Sequence, residues 1–181
     1  MPTSQEPPAL LGNRSTLRPA TYADAACFLQ ILDQPDVSFW WGNFDIDRVN
    51  RELVLPWDGS ATFAIESERD GEAQVTGLIQ FWEEEDPEYR HAGMDVAVHP
   101  QWQGKGFGSD AVRTVAQYLF EERGHHRLVI DPATGNERAI RSYEKVGFRR
   151  IGVMRRYERS DDGSWHDCLL MDMLPEDLRK A

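Results

Sequence analysis

A glycine-rich run in the middle of the chain constrains its fold more than any other feature. An alternating apolar stretch at residues 94–99 predicts a strand before the run, and residues 109–123 carry the apolar stripe of an amphipathic helix. Glycine has no Cβ and adopts positive φ, so backbone N–H groups at this helix N-terminus can converge on a phosphate. The pattern predicts either such an anion site or merely a tight strand-to-helix connection in an α/β fold.

The order of the remaining elements also predicts an α/β fold. Strands are expected at residues 15–19, 62–67, 73–83, 94–99, 127–131, 153–159 and 165–174. Helices are expected after Thr21, over residues 47–55 and 109–123, and after Asn136, whereas residues 39–42 are expected to form an aromatic loop. Turn sequences at residues 69–71 and 161–163 predict two hairpins. We therefore expect one mixed sheet of about seven strands with helices on both faces, in a single domain over residues 13–178 after a loose tail at residues 1–12.

The glycine spacing excludes two common nucleotide sites. Glycines at 104, 106 and 108 fit neither the P-loop pattern Gly-x-x-x-x-Gly-Lys-Ser/Thr nor the dinucleotide pattern Gly-x-Gly-x-x-Gly. The pattern Gln-x-x-Gly-x-Gly, beginning at Gln103, instead resembles the pyrophosphate loop of the GCN5-related N-acetyltransferases (GNAT). A second block, from Asn136 through Tyr143 to Phe148, resembles the next motif of that family. The resemblance covers residues 17–174 and implies the GNAT fold, in which the central sheet is splayed in the middle.

The resemblance implies an acyl-CoA co-substrate, acetyl-CoA or another acyl-CoA such as succinyl-CoA, and no metal. It implies that backbone groups of Val96, Ala97 and Val98 pair with the pantetheine arm and that Asn136 contacts the cofactor. The residues expected around the pyrophosphate are Gln103, Gly104, Lys105, Gly106, Phe107, Gly108 and Ser109. Members of the family often form homodimers through late strands.

Two side chains are candidates for proton transfer when an amine attacks a thioester. Asp95 interrupts an apolar strand, where a carboxylate is costly unless it has a partner or opens onto a cleft, so we expect it to accept the amine proton, directly or through water. The alternative is a rim carboxylate that pairs with a nearby arginine. Periodicity alone would make Tyr143 an ordinary core residue, but it falls on the family's motif tyrosine, so the resemblance implies that it protonates the leaving thiolate.

The acceptor is expected to be a cationic amine. Trp82, Glu83, Glu84, Glu85 and Asp86 end a strand that should border the acceptor cleft, and Trp41 belongs to the aromatic segment expected opposite. These segments resemble the aminoglycoside 6′-N-acetyltransferase branch of the family. Alternatives are an acyltransferase for protein N-termini, such as that of a ribosomal protein, and a non-catalytic acyl-CoA sensor. A solvated acidic turn and core tryptophans are the structural alternatives for these residues.

Composition limits the partners and the compartment. The net charge is −11, which argues against a nucleic-acid partner and is compatible with a cationic one. No run is long enough for a membrane span, and the N-terminal residues lack the pattern of a signal peptide. The two cysteines, Cys27 and Cys168, are far apart and favour a reduced setting, so we expect a cytoplasmic protein.

Overall fold

The computed structural model describes residues 7–55, 59–69 and 71–180. Residues 1–6 of the expected N-terminal tail and Asp70 of the expected turn at residues 69–71 lie outside this range. Among the described helices, none combines the length and the apolar character that crossing a bilayer requires.

Eight strands in the described range form one mixed sheet. They are β1 (Leu10–Leu11), β2 (Thr16–Pro19), β3 (Ser60–Arg69), β4 (Glu72–Glu84), β5 (His91–Val98), β6 (Leu128–Ile130), β7 (Arg149–Arg159) and β8 (Trp165–Met173). Their order across the sheet is β1-β2-β3-β4-β5-β6-β8-β7. Only the β5–β6 pairing is parallel among these neighbours. A parallel pair needs a crossover, and the glycine run with the helix after it supplies that connection.

Helices cover both faces of the sheet, as the sequence predicts. They are α1 (Ala25–Leu32), α2 (Pro35–Trp41), α3 (Ile46–Val49), which continues as a π-helical turn over Asn50–Val54, α4 (Phe107–Glu121) and α5 (Glu137–Val146). On one face α1, α2 and α3 bury residues such as Phe28 against Leu78 and Ala97. On the other face α4 and α5 bury residues such as Val115 against Ile79. The predicted α/β class is confirmed.

The sheet opens between its two central strands. The parallel pairing of β5 with β6 consists of Ala92 with Leu128 and Gly93 with Val129, whereas β5 continues to Val98. This edge of β5 therefore faces an opening in the sheet, and Val96, Ala97 and Val98 line the cavity there. The expected splay in the middle of the sheet is present.

Two local predictions differ from the structure. Residues 39–41 belong to helix α2, not to a loop, because Pro35 suits the first turn of a helix, where its missing N–H costs nothing. Gly42, with φ of +75°, ends α2. Leu10 and Leu11, expected in a loose tail, pair with Leu17 and Thr16 and bring the strand number to eight.

Candidate active site

An open cavity of about 1150 Å³ occupies the opening in the sheet. Its walls come from β4, β5, the segment after β6, the N-terminal part of α4, and helices α2 and α5. The glycine run and the predicted acceptor residues Trp41 and Trp82 therefore border one continuous space.

The glycine run forms the end of the cavity at the N-terminus of α4. Gly104 and Gly106 have φ of +74° and +89°, a left-handed conformation that other residues rarely adopt. Gly106 precedes the first residue of α4, so the first N–H groups of that helix lie in the loop. The Gln103 side chain donates a hydrogen bond of 2.8 Å to the Val98 carbonyl and ties the loop to the end of β5.

Most residues expected to hold a cofactor line this end of the cavity. The predicted residues found there are Val96, Ala97, Val98, Gln103, Gly104, Gly106, Gly108, Ser109 and Asn136. A Cβ built on Gly104 would meet nothing within 4 Å, so the loop offers open backbone to a ligand. Lys105 and Phe107 turn to Trp102 instead, with the Lys105 ammonium 5.1 Å from the indole centroid and the Phe107 ring 5.3 Å away, edge-on. The loop fits a phosphate group through backbone N–H groups rather than through the Lys105 side chain.

Helix α5 borders the same end. The Asn136 side chain accepts a hydrogen bond of 3.1 Å from the Ala139 N–H and caps the helix. The hydroxyls of Ser109 and Ser142 lie 2.8 Å apart and join the first turn of α4 to the middle of α5. Cationic side chains of α5 also reach the cavity, namely Arg138, Arg141 and Lys145. This end can therefore hold an anion.

Asp95 lies in the middle of the cavity wall. Gln80, its register partner on β4, donates a hydrogen bond of 3.2 Å to the carboxylate. Burial, followed by the charges of Asp131 and Glu158, raises the pKa of Asp95 to about 6, although the Gln80 hydrogen bond acts in the opposite direction. A carboxyl with such a pKa is mostly ionised at neutral pH and is basic enough to accept a proton.

Tyr143 approaches the cavity from α5. Its ring is 8% exposed and packs edge-on against Phe148 at 6.1 Å between centroids. Burial, with the negative charges of Asp95 and Asp131, raises its pKa above that of a free phenol. The hydroxyl is therefore protonated at neutral pH and is available as a donor.

Aromatic side chains form the wall on the side of α2. Trp40 and Trp41 from α2, Phe44 and Trp82 line the cavity. Trp82 lies directly over Gly93, since a Cβ built on Gly93 would be 2.3 Å from the indole ring. This close approach holds the indole against β5 and exposes its remaining surface to the cavity.

The acidic run after Trp82 does not belong to this wall. Side chains alternate along a strand, so Glu83 points to the face opposite Trp82. There its carboxylate is 4% exposed and accepts hydrogen bonds of 2.6 Å from both Arg123 and His125. Burial raises the Glu83 pKa, but these hydrogen bonds outweigh burial and lower it to about 2. We therefore correct the assignment of Glu83 to acceptor binding, because its charge is already neutralised inside the fold.

The other three acidic residues of the run are also outside the cavity lining. Glu84, Glu85 and Asp86 are exposed beyond the cavity, and the Glu84 and Asp86 carboxylates accept hydrogen bonds from the backbone of their own turn. They match the alternative of a solvated turn. In contrast, the predicted residues Trp41 and Trp82 do line the cavity.

Four acidic residues that the sequence reasoning missed line the cavity in their place. Asp131 directly follows β6, and Glu158 lies near the end of β7, while Asp36 and Glu52 come from the helical side. Arg48 neutralises Glu52 with an ion pair of 2.9 Å, and Arg159 is a further cation of the lining. Asp131 and Glu158 are close enough to Asp95 to raise its pKa, so the three residues form a carboxylate cluster. Among the described residues, no cluster of His, Cys, Asp and Glu side chains has the arrangement of a metal site.

A comparison with protein families identifies the domain. Residues 14–149 match the acetyltransferase (GNAT) domain. The aminoglycoside N(6′)-acetyltransferase type 1 of Klebsiella pneumoniae is 31% identical over 154 residues, which cover 77% of this chain and 76% of that protein. A kanamycin resistance protein of Rhizobium radiobacter is 41% identical over 76 residues, 41% of this chain and 69% of that protein.

Solved structures agree with this assignment. An acetyltransferase of the GNAT family from Bacillus anthracis superimposes with a TM-score of 0.77 at 22% identity, over 93% of this chain and 99% of that one. AAC(6′)-Ib in complex with paromomycin and acetyl-CoA gives a TM-score of 0.72 at 25% identity, over 91% of this chain and 96% of that one. The chain therefore belongs to the GNAT family of acetyltransferases.

Proposed function

We propose that the protein transfers the acetyl group of acetyl-CoA to a primary amine of a polycationic small molecule of the aminoglycoside type. The observation that carries this proposal is one cavity with two chemically different sets of lining residues. One set is a glycine loop with cationic residues of α5, and the other is a carboxylate cluster with indole rings. Relatives named as aminoglycoside acetyltransferases support the same acceptor class.

The glycine loop and α5 are the parts that would hold the co-substrate. When bound, acetyl-CoA supplies the acyl group and a thiolate leaving group. The loop from Gln103 to Ser109 offers backbone N–H groups at the start of α4, which favour an anion through the helix dipole. The edge of β5 at residues 96–98 offers backbone groups to an extended amide-bearing chain, as an added strand would receive them.

The role that we propose for Asp95 is to remove the proton from the acceptor amine. An amine is mostly protonated at neutral pH and must lose a proton before or during attack. Asp95 combines a position on the cavity wall with a pKa of about 6, and Gln80 fixes its orientation. We infer that Asp95 receives this proton, directly or through one water.

The role that we propose for Tyr143 is to supply a proton to the leaving thiolate. The leaving thiolate is stabilised by a donor, and a phenol kept protonated by burial is such a donor. Tyr143 lies on the cavity between α5 and β5, so one proton acceptor and one proton donor border the same space. A binding protein for acyl-CoA without catalysis has no need of this pair.

The carboxylate cluster of Asp95, Asp131 and Glu158 favours an acceptor with several positive charges. Asp131 and Glu158 each raise the pKa of Asp95, because a negative charge nearby disfavours ionisation. A polycation in the cavity would relieve this repulsion and pair with more than one carboxylate. The indoles of Trp41 and Trp82 would cover the cation's apolar parts and attract its charge.

An acceptor panel tests the proposal. Thiol release from acetyl-CoA would be measured with kanamycin, with spermidine and with a peptide that has a free N-terminus and uncharged side chains. We expect the highest kcat/KM with one of the two polycations and a decrease of that value with added salt, since screened charges attract less. A preference for the neutral peptide over both polycations would replace this proposal with acetylation of protein N-termini.

A further inference from the structure

A turn near the N-terminus is fixed to the first turn of α4. The Asp110 carboxylate, which is 3% exposed, accepts hydrogen bonds from the Asn13 N–H at 3.1 Å, the Arg14 N–H at 2.9 Å and the Ser15 hydroxyl at 3.1 Å. Gly12 packs so closely that a Cβ built there would be 2.4 Å from Asp110 Oδ2. The turn between β1 and β2 is therefore held in one position against the helix that follows the glycine loop.

This turn places a guanidinium against the glycine loop. Arg14 Nε lies 3.1 Å, and Arg14 Cδ 3.3 Å, from the point where a Cβ on Gly106 would stand. Gly106 has φ of +89° and directly precedes α4. Arg14 itself is exposed, so its remaining N–H groups face solvent beside the loop. Arg14 is 96 positions before Asp110 in the chain, and the hydrogen bond from its N–H to the Asp110 carboxylate connects the two segments.

The carboxylate of Asp110 affects how well the glycine loop can bind an anion. A buried carboxylate in the first turn of α4 favours the helix dipole but repels an anion bound at the same helix end. Its three donors are two neutral N–H groups and one neutral hydroxyl, which leave its net charge in place. The guanidinium of Arg14, whose Nε lies beside Gly106, brings the opposite charge to the glycine loop. An anion at the loop would then be attracted by this cation as well as repelled by Asp110.

We propose that Arg14 binds a phosphate group of coenzyme A at the glycine loop and that Asp110 and Gly12 are positioning residues for it. This inference rests on the proposed function, since it assumes that coenzyme A occupies the loop. The guanidinium would form charge-assisted hydrogen bonds with phosphate oxygens, in addition to the backbone N–H groups of the loop.

The test compares coenzyme A binding to wild type, Arg14→Gln, Arg14→Lys and Arg155→Gln by calorimetry. We expect Arg14→Gln to raise the Kd roughly tenfold, as for loss of a charged hydrogen bond near solvent, and Arg14→Lys to restore part of the affinity. Arg155→Gln removes the same charge from an exposed position on β7 that, like Arg14, is outside the cavity lining but is not beside Gly106, so this variant should leave the Kd unchanged. Equal losses with dephospho-coenzyme A would identify the pyrophosphate as the partner, and a loss confined to coenzyme A would identify the 3′-phosphate.

A second pair of variants tests positioning. Gly12→Ala removes no charge but displaces the turn from Asp110, so it should weaken coenzyme A binding in the wild type and have little effect in the Arg14→Gln background. Thermal unfolding would show that each variant is folded. Wild-type binding with an unchanged Kd in folded Arg14→Gln would overturn the role of Arg14. Absence of coenzyme A binding by the wild type would instead contradict the proposed function.

Discussion

Replacing Asp95 with Asn should abolish most of the activity and at the same time stabilise the fold. Asn has the same shape, and its carbonyl oxygen can still accept the 3.2 Å hydrogen bond from Gln80. It removes a charge that burial, Asp131 and Glu158 all disfavour. The change therefore separates the catalytic requirement for a carboxylate from its structural cost.

The size of the stabilisation follows from the pKa of Asp95. A rise from 3.8 to about 6 on folding corresponds to a cost of roughly 3 kcal/mol when the group is ionised in both states. Because the folded pKa is the higher one, the protonated form favours folding, and the cost is fully present only above pH ~6. For a domain of this size such a free energy raises the melting temperature by about 6–12 °C.

Thermal unfolding between pH 4 and 8 measures this effect. The gain of Asp95→Asn should be largest at pH 7–8 and decrease as the pH falls through about 6, while thiol release should fall on the order of 10²-fold or more at neutral pH. The kcat/KM of the wild type should decrease as the pH falls below about 6, because Asp95 is then protonated. A lower melting temperature at pH 8, or unchanged turnover, would refute the reasoning.

Glu83→Gln is the matched control on the neighbouring strand. His125 and Arg123 lower the pKa of Glu83 to about 2 despite its burial. The ionised form therefore stabilises the fold at pH values above the unfolded pKa of 4.5, and this stabilisation is lost as the pH falls towards 2. Its replacement should destabilise the protein at pH 7, because two partners lose a buried acceptor. Acetyl transfer by the folded variant should remain close to wild type. Opposite signs for the two variants would confirm that the two carboxylates have different roles.

Three further variants test the remaining parts of the site. Tyr143→Phe keeps the ring in its packing and removes the donor, so turnover should fall about 10²-fold with unchanged coenzyme A affinity, measured where chemistry limits the rate. Gly106→Val requires φ of +89° from a β-branched residue and introduces atoms beside the loop, so calorimetry should show strongly weakened coenzyme A binding; unchanged affinity in a folded variant would contradict the loop's role. Joint replacement of Glu84, Glu85 and Asp86 by amides should leave the acceptor KM unchanged, since these side chains are outside the cavity lining. A clearly raised KM would return them to the acceptor site.

The parts of the site that depend on local sequence could be predicted. The strand, the glycine loop and the amphipathic helix are contiguous, so their periodicities alone locate the loop. The same holds for Asp95, which is a carboxylate in an apolar strand and is found on the cavity wall. Its parity with Ala97 correctly predicts the face that it occupies, because side chains alternate along β5.

The acceptor side depends on contacts between distant segments and was predicted less well. Strand parity already separates Glu83 from Trp82, and this signal in the sequence would have prevented the wrong assignment. Asp131 follows β6 and Glu158 lies on β7, and these two segments, which are separate in the sequence, line the cavity together. Arg14 reaches the glycine loop only through the buried anchor at Asp110. No spacing in the sequence predicts the positions of Asp131, Glu158 and Arg14 at the site.

The proposed function requires that Asp95, Asp131 and Glu158 together select a polycationic acceptor. The most direct measurement is the steady-state kinetics of kanamycin acetylation by wild type and by Asp131→Asn/Glu158→Gln. At pH 8, where Asp95 is ionised in both proteins, the double variant should raise the kanamycin KM at least tenfold with little change in kcat, because recruitment acts alike on ground and transition states. The KM difference should shrink with added salt. An unchanged KM for kanamycin in the folded double variant would contradict the claim.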